Sequence, residues 1–181
     1  MNITEEQGQQ LIVIARKIIS SAFGKKEINI PAELQNLLIE KRGVFVTLNK
    51  NKELRGCIGF PEPVFPLGVA LARAARGAAF EDSRFPPLKK EELDEIKIEI
   101  SILTPSKKIQ ANPKEINISK DGLIVKQGAA SGLLLPQVAE EHNWTAEQFL
   151  NQTCIKASLP PEAWKNNNSE IYKFQAQIFK E

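Results

Sequence analysis

Leu54-Arg55-Gly56-Cys57-Ile58-Gly59 restricts the fold more than any other segment of this chain. It lies where a buried strand belongs, after the hairpin-loop run Asn49-Lys50-Asn51-Lys52 and before a loop with three prolines at 61–66. Yet two of its six residues are glycine and one is arginine. Glycine weakens a strand interior, so a pair of them implies a bulge or a close backbone approach. A strand alternates its faces. Alternation sends Leu54, Gly56 and Ile58 one way and Arg55, Cys57 and Gly59 the other. A guanidinium and a thiol then share a face, beside a position without a side chain.

The rest of the chain supplies layers for such a strand. Thr4 and Gln7 form a capping box, and Leu11, Ile14, Ala15, Ile18 and Ala22 recur at helical spacing before Gly24. A short helix is predicted from Pro31 to Glu40, and a strand over Val44–Leu48. Pro66–Phe80 reads as a helix whose many alanines imply close packing on a sheet. Ile96, Ile98, Ile100 and Ile102 alternate with polar residues, a strand signature. Thr104–Glu115 reads as a polar loop, and Lys120-Asp121-Gly122 as a turn between Ile116–Ile118 and Leu123–Lys126. Gly128–Gly132 reads as a small-residue loop leading to a helix that ends near His142. A second capping box, Thr145 with Gln148, starts a helix to about Ala157, and Glu170–Phe179 is the last strand, with Tyr172, Phe174, Ala176 and Ile178 on one face. The order predicts an α+β domain over residues 1–181 with a mainly antiparallel sheet and flanking helices. Each half runs strands, loop, helices, which hints at a duplication and two lobes.

Composition sets limits. At 181 residues, 42% apolar and 25% charged, the chain is long enough for a sizeable core. A net charge of +2 does not by itself imply nucleic acid or a membrane surface. No apolar run reaches the roughly 18 residues of a membrane span, and the polar N-terminus is unlike a signal peptide. Cysteines only at 57 and 154 make no disulfide framework and fit a reducing cytoplasm.

Four constellations carry chemistry. Cys57 beside Arg55 is a candidate nucleophile, since a cation favours thiolate; a structural cysteine is the alternative. Arg55, Arg73, Arg76 and Arg84 cluster in sequence, and their planar forks suit carboxylate or phosphate, with ion pairs to Glu62, Glu81 or Asp82 as the alternative. Glu81-Asp82-Ser83-Arg84-Phe85-Pro86-Pro87 is a stiff charged loop, either a site wall or a turn in which Asp82 caps and pairs with Arg84. Gly128–Gly132 precedes a helix but lacks the spacing of a nucleotide fingerprint and reads as a turn. His142 is the sole histidine and reads as a solvent-facing or cap-assisting residue rather than a base. Zinc spacing is missing.

The segments Gly43–Leu48, Leu54–Gly59, Asp82-x-Arg84-Phe85-Pro86-Pro87-Leu88, Leu134-Leu135-Pro136-Gln137-Val138 and Cys154-x-Lys156-Ala157 together resemble the AMMECR domain family. Ser83 stands where the pattern has proline, and Ser158 where it has glycine. The resemblance implies two β-rich, helix-containing repeats in one barrel-like sheet. It also implies a cytosolic protein and a pathway shared with Memo-like and radical-SAM proteins. It supplies no reaction and no cofactor.

Three functions follow as expectations. The first is an enzyme or subunit holding an anionic small molecule or nucleotide-like group, with Cys57 as the candidate catalytic group. Arg55, Gly56, Gly59, Asp82, Arg84, Arg73 and Arg76 are its candidate ligand-binding residues. The second is a non-catalytic protein-binding module. The third is an RNA or nucleotide modification factor, for which no aromatic ladder accompanies the lysines of 107–126.

Overall fold

The computed structural model describes residues 2–24 and 27–181. The chain divides into two compact units, one running through Leu103 and regaining Gln177–Glu181, the other Thr104–Ala176. The fold is α+β, with antiparallel strand pairing in both units.

In the first unit, helix α1 (Glu5–Ser21) starts at the predicted capping box: the Gln7 N–H donates to Thr4 Oγ1 at 3.2 Å, and the Thr4 N–H donates to Gln7 Oε1 at 3.0 Å. The short helix α2 (Gln35–Ile39) leads into β1 (Gly43–Lys50) and β2 (Glu53–Phe60). The turn between them is tighter than the sequence suggested. Only Asn51 and Lys52 lie outside the strands, both with positive φ (53° and 68°). Such a two-residue turn matches the twist of the strands it joins. Helix α3 (Leu67–Phe80) follows, then β3 (Ile96–Leu103) beside β1, giving the order β2-β1-β3. The final residues of the chain lie along β3, where the Glu181 N–H donates to Ile98 O at 3.1 Å. The core gathers Leu11, Ile19, Val46, Leu71, Ala74 and Ile100 between helices and sheet.

The second unit repeats this plan. The hairpin β5 (Asp121–Gln127) and β6 (Ala130–Leu134) is followed by helices α4 (Pro136–Glu141) and α5 (Ala146–Lys156). Strand β7 (Glu170–Lys180) then pairs with β5, giving β6-β5-β7. Its core contains Leu123, Val125, Phe149, Leu150 and Trp164.

Five expectations in this region are corrected. The polar loop 104–115 contains a short strand, β4 (Lys107–Ile109), paired with β7. Ile116–Ile118 is not a strand, and Asp121 opens β5, buried, rather than forming a turn tip. Asp121 is paid for locally by Lys173 Nζ at 3.1 Å and by the Asn117 N–H at 3.0 Å. The turn expected over 128–132 is only Gly128 and Ala129, since Ala130–Leu134 is strand. Along β7 the buried residues are Ile171, Phe174 and Phe179, not one even-numbered face. Ile171 belongs to the second core and Phe179 to the first, whereas Phe174 covers Gly122 across the ladder.

The helix α5 ends in a residue of special interest. Ser158 has φ of 59°, a left-handed conformation that costs a side chain energy and glycine nothing. Ser158→Gly should therefore stabilise the protein by about 1 kcal/mol, raising Tm by roughly 2–4 °C. A calorimetric melt showing no gain would remove the strain argument.

Candidate functional site

Strand β2 is an edge strand, bonded to β1 alone. An edge exposes unpaired main-chain groups. Here they are closed by side chains from the segment after α3. The Cys57 N–H donates to Asp82 Oδ2 at 2.8 Å. Arg84 Nη2 donates to Cys57 O at 3.2 Å. The same guanidinium grips Asp82, with Nε to Oδ1 at 2.9 Å and Nη2 to Oδ2 at 2.7 Å, and the Arg84 N–H reaches Oδ1 at 3.2 Å. Asp82 is 7% exposed. The Arg84 fork, followed by the two main-chain N–H groups, holds its carboxyl far below the usual carboxylate range despite burial.

Why Asp82 arrives there is written in β2. A Cβ on Gly56 would stand 2.1 Å from Ala78 O. Only glycine lets the last turn of α3 approach this closely. That contact sets the helix end against the strand, and Asp82 follows two residues after the helix.

The bulge implied by the glycines is present, and it changes the face assignment. Leu48 pairs with Gly56, but Asn49 pairs with Leu54, so Arg55 and Gly56 together oppose Leu48. Alternation stops at this point. Leu54 joins the face of Asn49 and is 42% exposed, rather than following Gly56 and Ile58 inward. Arg55 and Cys57 are not a pair. Arg55 makes a fork with Glu92, Nε to Oε1 and Nη2 to Oε2, each 3.0 Å. Lys50 Nζ joins from 3.3 Å, and the Lys89 N–H donates to Oε2 at 3.0 Å. Led by the Arg55 fork, these groups bring the Glu92 carboxyl down to about 2.

Cys57 meets Thr47 instead. The Thr47 hydroxyl donates to Cys57 Sγ at 3.2 Å, from the residue directly opposite in the ladder. Glu99 of β3 continues this row and is paired with Lys180 Nζ at 2.9 Å. In the next row, the ring of Phe45 occupies the place where Gly59 would carry a Cβ, 2.2 Å from Phe45 Cδ1. Ser101, opposite Phe45, is 1% exposed and its Oγ has no hydrogen-bond partner among the described residues.

The remaining arginines lie elsewhere. Arg73 and Arg76 stand exposed on α3, in the helix layer behind Gly56 and Ile58. The Arg73 guanidinium covers the Phe65 ring at 4.4 Å from its centre. His142 is exposed and stacks on Trp144, with ring centres 4.7 Å apart. Cys154 is fully buried in the second core, and burial pushes its thiol up. Among the described residues, no three His, Cys, Asp or Glu are placed to hold a metal ion, and no helix is long and apolar enough to cross a membrane.

Thr47, Glu92 and Ser101 were not singled out from sequence. Thr47 had a signal that pointed one residue away: counting back from a two-residue turn without the bulge places Val46 opposite Cys57. Glu92 sits in a charged run with nothing to mark it.

The Asp82 clamp has a measurable pH signature. A carboxyl whose folded pKa is depressed contributes stability above its unfolded pKa and loses it as pH falls through the folded one. Asp82 and Glu92 therefore contribute fully above about pH 5, a contribution lost progressively below the ordinary carboxylate range. Asp82→Asn should cost about 2 kcal/mol at pH 7 and flatten the acid limb in urea unfolding between pH 6 and 3. Parallel acid limbs for both proteins would contradict the clamp.

Comparison with known proteins places this geometry among relatives. A family model described as AMMECR1 matches residues 12–179. A protein of Methanothermobacter thermautotrophicus is 49% identical over 185 residues, covering 99% of this chain and 96% of its own. A protein of Methanopyrus kandleri is 51% identical over 189 residues, covering 99% and 90%. The crystal structure of protein PH0010 from Pyrococcus horikoshii superposes with a TM-score of 0.90 at 46% identity, covering 99% of this chain and 93% of that one.

Proposed function

The chain belongs to the AMMECR1 family, and on that premise we propose that it is an enzyme, or an enzyme subunit, that holds a small anionic ligand against the Cys57 thiol. The observation that supports this reading is a cysteine held at three points. Its main-chain N–H and C=O are clamped by Asp82 and Arg84, and its sulfur accepts from Thr47. A hydroxyl donating to sulfur orients the thiol and leaves it one fixed direction of approach. Arg84, with its side chain 54% exposed, is the cation beside it and takes the role first read for Arg55. Arg55 is then a positioning residue, holding the loop around Glu92. The expected setting is the cytoplasm, in a pathway with Memo-like and radical-SAM proteins.

The test is the reactivity of two cysteines in one native protein. Iodoacetamide should modify Cys57 at least about tenfold faster than buried Cys154, and Thr47→Val should slow Cys57 several-fold. Iodoacetate should gain on iodoacetamide, relative to free cysteine, if Arg84 favours an anion there. Equal, slow labelling of both cysteines, read by mass spectrometry, would refute the thiol role.

One observation favours the second reading, a non-catalytic binding module. The Arg55 and Arg84 forks are each occupied by a carboxylate. That reading is distinguished by an inert Cys57 together with a protein partner that co-purifies and is lost on Asp82→Asn.

A further inference from the structure

Strand β6 is also an edge strand, bonded to β5 alone as β2 is to β1. The turn Gly128-Ala129, with Gly128 at φ 59°, is closed by the pair Gln127–Ala130. From there hydrogen-bonded and non-hydrogen-bonded pairs alternate. Val125–Gly132 is a bonded pair, whereas Lys126–Ser131 and Ile124–Leu133 are not. The N–H and C=O of Ser131 and Leu133 therefore point away from β5.

Leu133 holds the place that Cys57 has in the first hairpin, one residue after the glycine set against the following helix. At Cys57 the outward groups are closed by Asp82 and Arg84. The chain after α5 turns through Ser158 and supplies no such clamp. Among the described residues, no hydrogen bond closes the outer edge at Ser131 or Leu133. The usual guards of an edge are missing as well. Ala130–Leu134 has no charged residue and no proline, whereas β2 carries Glu53 and Arg55. Gly132 faces α5, so Leu133 lies on the opposite face. There an apolar row runs from Tyr172 through Ile124 and stops at the edge with Leu133, half-buried.

We propose that β6 pairs antiparallel with β6 of a second copy of this chain, about a twofold axis at Leu133. A row of free main-chain donors and acceptors is matched by an extended strand, and the second copy is the strand that fits. Parity sets the Leu133 main chain against that of the second copy's Leu133. The apolar row continues across the axis into its twin, and the uncharged edge opposes no like charges. The outward groups are few, so the dimer is weak and concentration-dependent.

The test is sedimentation velocity of the full chain from about 5 µM to about 1 mM. The chain should pass from monomer to dimer with a Kd of about 100 µM, and the Leu133 amide should exchange several-fold more slowly at the upper concentration. Ser131→Pro removes an outward N–H and no β5–β6 bond, so it should weaken association at least about tenfold while the circular dichroism spectrum stays native. Leu133→Lys and Leu133→Glu should each be folded and monomeric, and should form a heterodimer when mixed, because opposite charges then meet across the axis. A chain that stays monomeric at about 1 mM overturns the proposal and leaves this edge to a strand of another protein. A dimer that survives Ser131→Pro and both Leu133 variants also overturns it, as do two Leu133 variants that stay apart when mixed.

Discussion

The Asp82 carboxylate takes the Cys57 N–H, the Arg84 N–H and one edge of the Arg84 guanidinium through Nε and Nη2, and the edge of the first unit's sheet is closed by it. Without it, the outer edge of β2 would present free main-chain groups at Cys57. The clamp depends on a sequence of short-range conditions. Gly56 admits the Ala78 carbonyl, that approach fixes the end of α3, and the helix end delivers Asp82 to the strand edge. Arg84 then closes the second main-chain group. A buried carboxylate so thoroughly bonded is expensive to disturb, because removing one partner strands the others.

The two units use one plan. Each is a hairpin, then helix, then a strand that returns beside the hairpin's first strand. Each also has a glycine in the hairpin's second strand against the end of the following helix. Gly132 stands against Ala157 N and Thr153 O as Gly56 stands against Ala78 O. The units part after that helix. In the first, the chain offers Asp82 and Arg84 to the strand edge; in the second, it turns through Ser158 in a left-handed conformation. One framework thus carries an electrostatic clamp in one copy and a strained turn in the other.

Much of this was legible in the residues. Both capping boxes, the alanine-rich helix, the isoleucine strand and the tight approach at Gly56 follow from local rules that tertiary structure left intact. The Asp82–Arg84 pairing was visible as one of two readings of a stiff loop. What sequence could not give was the bulge position. A bulge at Arg55 rather than elsewhere turns Leu54 outward, sends Arg55 to Glu92 and brings Thr47 to Cys57. A shift of one residue in register reassigns every face, and no local propensity specifies it. Strand β7 defeated alternation for a different reason: its two ends serve different cores.

The most direct measurement of the clamp is amide hydrogen exchange at Cys57. This N–H points away from β1, so an unclamped edge would exchange it nearly as fast as an unstructured amide. The account predicts strong protection in the native protein, with loss at this amide in Asp82→Asn while neighbouring β1 amides stay protected. Fast exchange at Cys57 in the native protein would contradict it.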